Sequence, residues 1–340
     1  MAAPAFTEYY ENIPYDEKYI FFNRFKEKYR INELSRIKLK TQHEILFNMD
    51  KAKDTLITNL CMNESFLEND RFSKESFRKV YSLLKSNKHD KNQMARLIFL
   101  IHLSKSNVDY LTFSLFSKFF DSIELIDSFD DIFKNNGLSF LFDYFEELKT
   151  NRFIQNHIAQ ILREIFGKNI KLNFLRNLKI SFFNCSVEKL RGFAGINRIY
   201  VGLRPFHTMI NELRNNLRKD EIKLIIKLEF LRVFVNLTTH ALLRSLKNDL
   251  NYWNPKNFNK FTNRNKTFRL ELGYVAEEKI FEARINWLQS GLNENLNVEK
   301  WYEFYEKVIV NQEFHSHLKL NQDGIIRKMN QNFIMGIDFS

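Results

Sequence analysis

The chain has few of the residues that interrupt helices: its 340 residues include nine Gly and four Pro. These two residue types break helices and form tight turns more often than any others. Phenylalanine occurs 35 times and supplies large side chains for a core. The composition argues against an architecture built on many tight turns and predicts long, seldom interrupted helices. We expect a mainly α fold.

Cysteine is scarce as well. Cys61 and Cys185 are far apart in the sequence, so they indicate neither a disulfide framework nor a cysteine zinc site. The N-terminal residues 1–10 lack a basic flank followed by an apolar run, and no secretory signal is expected. Three charged residues interrupt the apolar stretch 224–237, which is too short for a membrane span. We expect an intracellular protein, cytoplasmic or nuclear.

Two common catalytic motifs are missing from the sequence. No Gly-rich phosphate loop of the Walker type is present, and Cys185 and Ser186 lack the glycines of a nucleophile elbow. Nucleotide hydrolysis and serine hydrolysis are therefore unsupported.

Positive charge is concentrated in one part of the chain. The net charge is +11, yet residues 1–150 carry −1, residues 151–270 carry +16 and residues 271–340 carry −4. A local excess of this kind attracts polyanions such as nucleic acid, an acidic protein or an anionic membrane surface. The alternative is a biased amino-acid composition in which lysines only solvate helix faces.

Apolar periodicity predicts an N-terminal helical bundle over residues 1–150. Its amphipathic stripes end at Asn, Ser, Asp or Gly clusters and lie at about 15–30, 41–62, 73–86, 91–104, 107–120, 122–134 and 137–149. A shift in charge balance near 149–152 is the candidate domain boundary.

The second part, residues 151–340, combines helices with a small sheet. Two β-branched runs at 178–183 and 198–203 predict strands, separated by a loop with Gly192 and Gly195. We expect a two- or three-stranded sheet. Helices are predicted at about 152–166, 219–247, 271–288 and 298–311.

Two segments of this second part resemble a zinc-peptidase domain. The run 233–244, VFVNLTTHALLR, resembles the active-site helix of gluzincin-like metallopeptidases. Asn236 stands at the position of the first histidine, Leu237 at that of the catalytic glutamate and His240 at that of the second histidine. The run 271–277, ELGYVAE, resembles the E-x-G-x-x-x-E pattern of the glutamate-bearing helix in compact members. The resemblance implies a mostly helical, minimal zincin-like domain.

The resemblance also implies a third zinc ligand, Glu277 or Glu271, but the rest of the chemistry is lost. Asn236 is a poor zinc ligand, and Leu237 cannot accept a proton from a metal-bound water. We therefore expect a degenerate site without catalysis and without bound zinc. His240 is then a partly buried helix histidine.

Gly273 and the two glutamates of this run also have structural interpretations. The glycine would allow close packing against the neighbouring helix. Glu271 and Glu277 would suit the dipole at the start of a helix.

The segment 251–269 is the best binding candidate because it interleaves aromatic and basic residues, which suits base stacking and phosphate contacts. The candidates are Tyr252, Trp253, Lys256, Lys260, Arg264, Lys266 and Arg269. The alternative is that the aromatics anchor a long loop onto the core.

Three functions remain open at this point. The preferred hypothesis is a catalytically inactive metallopeptidase-like protein that binds a protein partner through its basic second part. The alternatives are binding of RNA or DNA by residues 151–270, and an altered metallohydrolase with a non-standard site.

Overall fold

A computed structural model describes residues 49–62, 74–86, 90–105, 110–126, 137–166, 172–252, 272–313, 325–326 and 337–339. Most of these residues are helical, which confirms the mainly α class. Two compact units are present: residues 1–125 with 185–187, and residues 126–184 with 188–340. The helix predicted at 15–30 lies outside the described residues.

The first unit contains helices at four of the predicted positions. They are α1 (Met49–Met62), α2 (Lys74–Lys85), α3 (Lys91–Leu103) and α4 (Tyr110–Ser122), and strand β1 (Glu124–Ile126) follows. Asp90 begins α3 by accepting a hydrogen bond from the Asn92 backbone N–H at 3.0 Å, and the second half of α3 is buried throughout. The helix predicted at 122–134 is wrong at its start, because 124–126 is a strand.

The second unit is built around one long helix. Its helices are α5 (Phe140–Thr150), α6 (Arg152–Phe166), a 3-10 helix (Leu172–Asn177), α7 (Arg204–Leu213), α8 (Lys219–Lys247), α9 (Leu272–Phe281), α10 (Trp287–Gly291) and α11 (Val298–Tyr305), followed by a π-helical turn (Glu306–Val310). Every residue of α8 from 228 to 244 is buried, so this helix forms the centre of the core. No helix among the described residues is long and apolar enough to cross a membrane.

Two predicted helix ends differ from the structure. The helix expected over 271–288 ends at Phe281, where Glu282 adopts a positive φ of 57°, and the chain resumes as α10. The Asn286 side chain accepts a hydrogen bond from the Gln289 N–H at 3.2 Å and so caps that second helix. The helix expected over 298–311 changes to π geometry at Glu306.

Strands of the second unit form a mixed sheet in the order β2-β4-β3-β5. They are β2 (Lys179–Asn184), β3 (Leu190–Ala194), β4 (Arg198–Gly202) and β5 (Ile337–Phe339). β2 pairs with β4 in parallel, whereas β3 is antiparallel to both β4 and β5. Strands β2 and β4 confirm the two predicted strands. The expected size of two or three strands is too small.

β3 occupies the segment that was predicted to be a loop, and Gly192 explains the error. A Cβ at Gly192 would lie 2.7 Å from the Leu237 Cδ1 atom of α8 and would also meet the Tyr200 carbonyl. The glycine is therefore required chiefly by the close approach of the β4 backbone, with the Leu237 side chain of α8 as a second neighbour, and not by a turn. Sequence alone does not separate these two uses of glycine.

The division between units lies at residue 126, whereas the sequence placed a boundary near 149–152. Asn151 lies between α5 and α6 and is only 1% exposed. Its amide donates to the Val308 and Ile309 carbonyls at 3.2 and 3.0 Å, and its Oδ1 accepts from the Ile154 N–H at 3.0 Å. Asn151 therefore caps α6 and binds the π-helical turn, which makes the segment a packed corner.

We predict that Asn151→Ala lowers the free energy of unfolding of the second unit by about 1–3 kcal/mol, because a cap and two carbonyl partners are lost. Asn151→Asp keeps the cap acceptor but cannot donate to the carbonyls, and should be at least as destabilising. Urea unfolding followed by tryptophan fluorescence measures both variants, since Trp253, Trp287 and Trp301 all belong to this unit. Full stability of Asn151→Asp would contradict the donor role.

Candidate functional site

Helices α8 and α9 bring together two of the positions that the sequence analysis singled out. The Asn236 amide donates a hydrogen bond to Glu277 Oε1 at 2.7 Å. Asn236 is 3% exposed, and Glu277 is fully buried. His240 lies one turn further along α8 and is also fully buried. Glu271 lies outside the described residues, so Glu277 is the described candidate for the third-ligand position.

A third residue, Arg232, occupies this place between the helices. Its Nη1 donates to Glu277 Oε1 at 3.1 Å. Its Nε and Nη2 donate to the two carboxylate oxygens of Glu229 at 3.0 and 2.7 Å. The planar guanidinium thus binds Glu229 in a bidentate manner and reaches Glu277 with its remaining nitrogen, a geometry that lysine cannot reproduce.

Strand β3 contributes a second arginine to the cluster. Arg191 Nε lies 3.1 Å from Glu229 Oε1, and its guanidinium carbon lies 5.5 Å from the centre of the Phe206 ring. The cluster formed by Arg191, Glu229, Arg232 and Glu277, called here the buried ion cluster, contains two cations and two carboxylates. Charged groups are rarely this buried unless they are paired, because isolated charges lose too much hydration.

Gly273 sets the distance between α8 and α9 where Asn236 contacts Glu277. A Cβ at Gly273 would lie 2.5 Å from both the Cγ and the Oδ1 of Asn236, closer than real Cβ atoms approach other groups. The expectation that Gly273 allows close helix packing is confirmed. The glycine lets Asn236 lie against the α9 backbone while its amide reaches Glu277.

The remaining positions of the peptidase-like helix are used for packing. Leu237 is fully buried and faces Gly192 of β3. One turn past His240, the Arg244 guanidinium donates through Nη1 to the Ala194 carbonyl at the end of β3. Both side chains join α8 to the sheet. Leu237 has no acidic group with which to activate water.

These residues do not fit the zinc that the peptidase resemblance implies. A catalytic zinc needs three protein ligands and one open position. Glu277 is already bound by the Arg232 guanidinium and the Asn236 amide, and a guanidinium at 3.1 Å repels a second cation. Within the described ranges, no group of three or more His, Cys, Asp or Glu residues is arranged to hold a metal ion. We derive no metal-dependent step for this site.

Of the basic and aromatic binding candidates, Tyr252 lies within the described residues. Tyr252 is half-buried, and the Lys247 amine lies 5.4 Å from the centre of its ring. Burial raises the pKa of the Tyr252 hydroxyl, and the charge of Asp249 adds to that effect. The other candidates lie outside the described residues: Trp253, Lys256, Lys260, Arg264, Lys266 and Arg269.

The sequence analysis missed three members of the buried ion cluster. Glu229 and Arg232 were noted only as charges that interrupt an apolar run. Their i, i+3 spacing on a helix face that is otherwise apolar was the available signal for a buried ion pair. Arg191 gave no such signal, because its partner is 38 positions away in the sequence.

Comparison of the chain with protein-family models, with curated proteins and with solved structures finds no match. The resemblance to gluzincin-like peptidases therefore rests on residues 233–244 and 271–277 and stays a hypothesis. The contacts of the buried ion cluster stand independently of that resemblance.

We predict that Gly273→Ala destabilises the second unit by about 1–3 kcal/mol, because the new methyl group must displace the Asn236 side chain. In an Asn236→Ala background the obstructing amide is absent, and the same glycine change should cost clearly less. Urea unfolding of the wild type, both single variants and the double variant gives the coupling between the two positions. Additive effects would show that Asn236 does not set the helix distance.

Proposed function

We propose that this protein is a non-catalytic interaction protein, metallopeptidase-like in its second unit, that binds an acidic partner through an exposed basic surface. The observation that carries the proposal is the engagement of Glu277 by Arg232 and Asn236. A hydrolase of the resembling family needs that carboxylate for its metal and needs a proton acceptor where Leu237 stands. Both requirements conflict with the contacts of these residues.

The burial of the cluster also bears on where a partner binds. Arg191, Glu229, Arg232 and Glu277 are each at most 5% exposed, so a large substrate cannot touch them in this conformation. Binding is therefore assigned to the surface of the second unit rather than to the former ligand positions. The cluster then has a structural role, which is to hold α8, α9 and β3 together.

The outer surface keeps a positive excess after the buried arginines are set aside. Arg191, Arg232 and Arg244 belong to the basic block but are buried. Exposed basic residues among the described part of 151–252 are Arg152, Arg163, Arg176, Lys179, Lys189, Arg204, Arg214, Arg218, Lys219, Lys223 and Lys247. Exposed acidic residues in the same part are Glu164, Glu188, Glu212, Asp220 and Asp249. This imbalance supports recognition of a polyanion.

Nucleic acid is the second candidate partner, because the same basic surface would meet phosphates. Its additional support is the composition of 251–269, where aromatic residues alternate with Lys and Arg. An acidic protein surface would use the cations without needing the aromatic rings. The two partners therefore differ in their dependence on base stacking.

We predict binding to polyaspartate and to single-stranded RNA that weakens as salt rises, measured by fluorescence anisotropy over a potassium chloride series. Two charge reversals, Arg214→Glu with Lys219→Glu and Arg176→Glu with Lys179→Glu, test two parts of the surface. Each lost phosphate contact should reduce the salt slope for RNA by about one. Tighter binding of RNA than of polyaspartate would favour the second candidate.

The matched control is Lys91→Glu with Lys118→Glu, two exposed lysines of the first unit that change the net charge equally. This control should bind both polyanions nearly as well as the wild type. Binding that is independent of salt, or equal losses in all three variants, would contradict a binding surface in the second unit.

A further inference from the structure

Lys227 lies between two tyrosine rings on the side of α8 that faces α5 and α11. Its Nζ is 5.0 Å from the ring centre of Tyr144 and 4.6 Å from that of Tyr305. The same Nζ donates a hydrogen bond to the Tyr305 hydroxyl at 2.6 Å. Both tyrosines are buried, and Lys227 is half-buried. The amine is therefore fixed in a partly dry, aromatic environment while part of its side chain stays accessible.

The charged groups around Lys227 act in opposite directions. Burial is the largest influence and lowers the pKa of the Lys227 amine; Glu147 and Glu306 raise it, and Lys223 lowers it further. Burial also raises the pKa of the Glu147 carboxyl. The hydroxyl pKa values of Tyr144 and Tyr305 are raised chiefly by burial. Four neighbouring groups are thus all biased towards their neutral forms, a pattern that is enriched at reactive sites.

We propose that Lys227 is a covalent capture site for small aldehydes, which its amine binds as an imine. This inference is independent of the proposed function, because it concerns a different set of residues. Lysine amines that form imines need to be neutral to attack, and a partly desolvated position favours that form. The site also has a hydroxyl at hydrogen-bond distance from the attacking nitrogen, which can relay a proton.

The chemistry balances without an oxidant or a reductant. The nitrogen lone pair of Lys227 attacks the carbonyl carbon, and a proton passes from nitrogen to the carbonyl oxygen to give a carbinolamine. The carbon–oxygen bond then breaks as the hydroxyl takes up a proton, water leaves, the carbon–nitrogen double bond forms and the nitrogen gives up its remaining proton. One amine and one aldehyde yield one imine and one water. Tyr305 is the residue placed to carry the proton between nitrogen and oxygen.

Lys223 is a matched internal control one turn earlier on the same helix. Its Nζ lies 5.0 Å from the centre of the Phe140 ring, so it has a similar aromatic neighbour. That ring carries no hydroxyl, and Lys223 is exposed to solvent. If solvent accessibility alone decided the rate, Lys223 would react faster than Lys227. The proposed site predicts that Lys227 reacts faster.

The experiment uses the full chain with glycolaldehyde and sodium cyanoborohydride, which reduces the imine to a stable amine. Peptide mass spectrometry then compares the labelling rates of Lys227 and Lys223 over a pH series. We expect Lys227 to be labelled several-fold faster at neutral pH, with the difference in rate narrowing at alkaline pH. Tyr305→Phe, which keeps the ring, should slow Lys227 several-fold and leave Lys223 unchanged.

Two results would overturn the proposal. One is labelling of Lys227 at or below the rate of Lys223 at neutral pH in the wild type. The other is an unchanged labelling rate of Lys227 in a folded Tyr305→Phe variant. That result would show that the Tyr305 hydroxyl takes no part in the reaction. If that variant does not fold, judged by tryptophan fluorescence, the wild-type comparison of the two lysines decides alone.

Discussion

The Arg232 guanidinium between Glu229 and Glu277 is the contact on which the second unit depends. It joins α8 to α9, and Glu229 extends the connection to β3 through Arg191. Burying these two carboxylates and two arginines costs hydration free energy. The attraction between opposite charges offsets that free energy only while every member of the cluster is present. The cluster therefore acts as a unit that fixes the relative positions of two helices and a strand.

This arrangement has a consequence for function. In the resembling peptidases a metal would balance the charge of the glutamate, whereas here a side chain of the protein does so. A guanidinium supplies charge and hydrogen bonds but no open coordination position for water. The buried ion cluster thus has a structural role. The surface of the same unit carries the exposed Lys and Arg residues that a partner can contact. This division is the basis on which we propose binding rather than hydrolysis.

Local sequence patterns predicted the positions of the helices better than they predicted which side chains the helices and strands contact. The bounds of α8 match those predicted from apolar periodicity, but the periodicity did not show that the helix is buried on all sides from 228 to 244. β3 was missed because Gly192 serves a close approach of the Tyr200 carbonyl and the Leu237 side chain that only the fold reveals. The pairing of Arg232 with Glu277 joins residues 45 positions apart and depends on how α9 packs. The shift in charge balance near 149–152 suggested a domain boundary, but the hydrogen bonds of Asn151 to the Val308 and Ile309 carbonyls join residues more than 150 positions apart and are visible only in the fold.

The coupling free energy between Arg232 and Glu277 tests the central claim most directly. It is measured by urea unfolding of the wild type, Arg232→Met, Glu277→Leu and the double variant. The single changes should each cost about 3–5 kcal/mol, and the double variant should cost clearly less than their sum. The exposed pair Lys279 and Glu164, with atoms 2.7 Å apart, is the reference and should couple by about 0–1 kcal/mol. Additive costs at Arg232 and Glu277, or a coupling no larger than that of the exposed pair, would contradict the account.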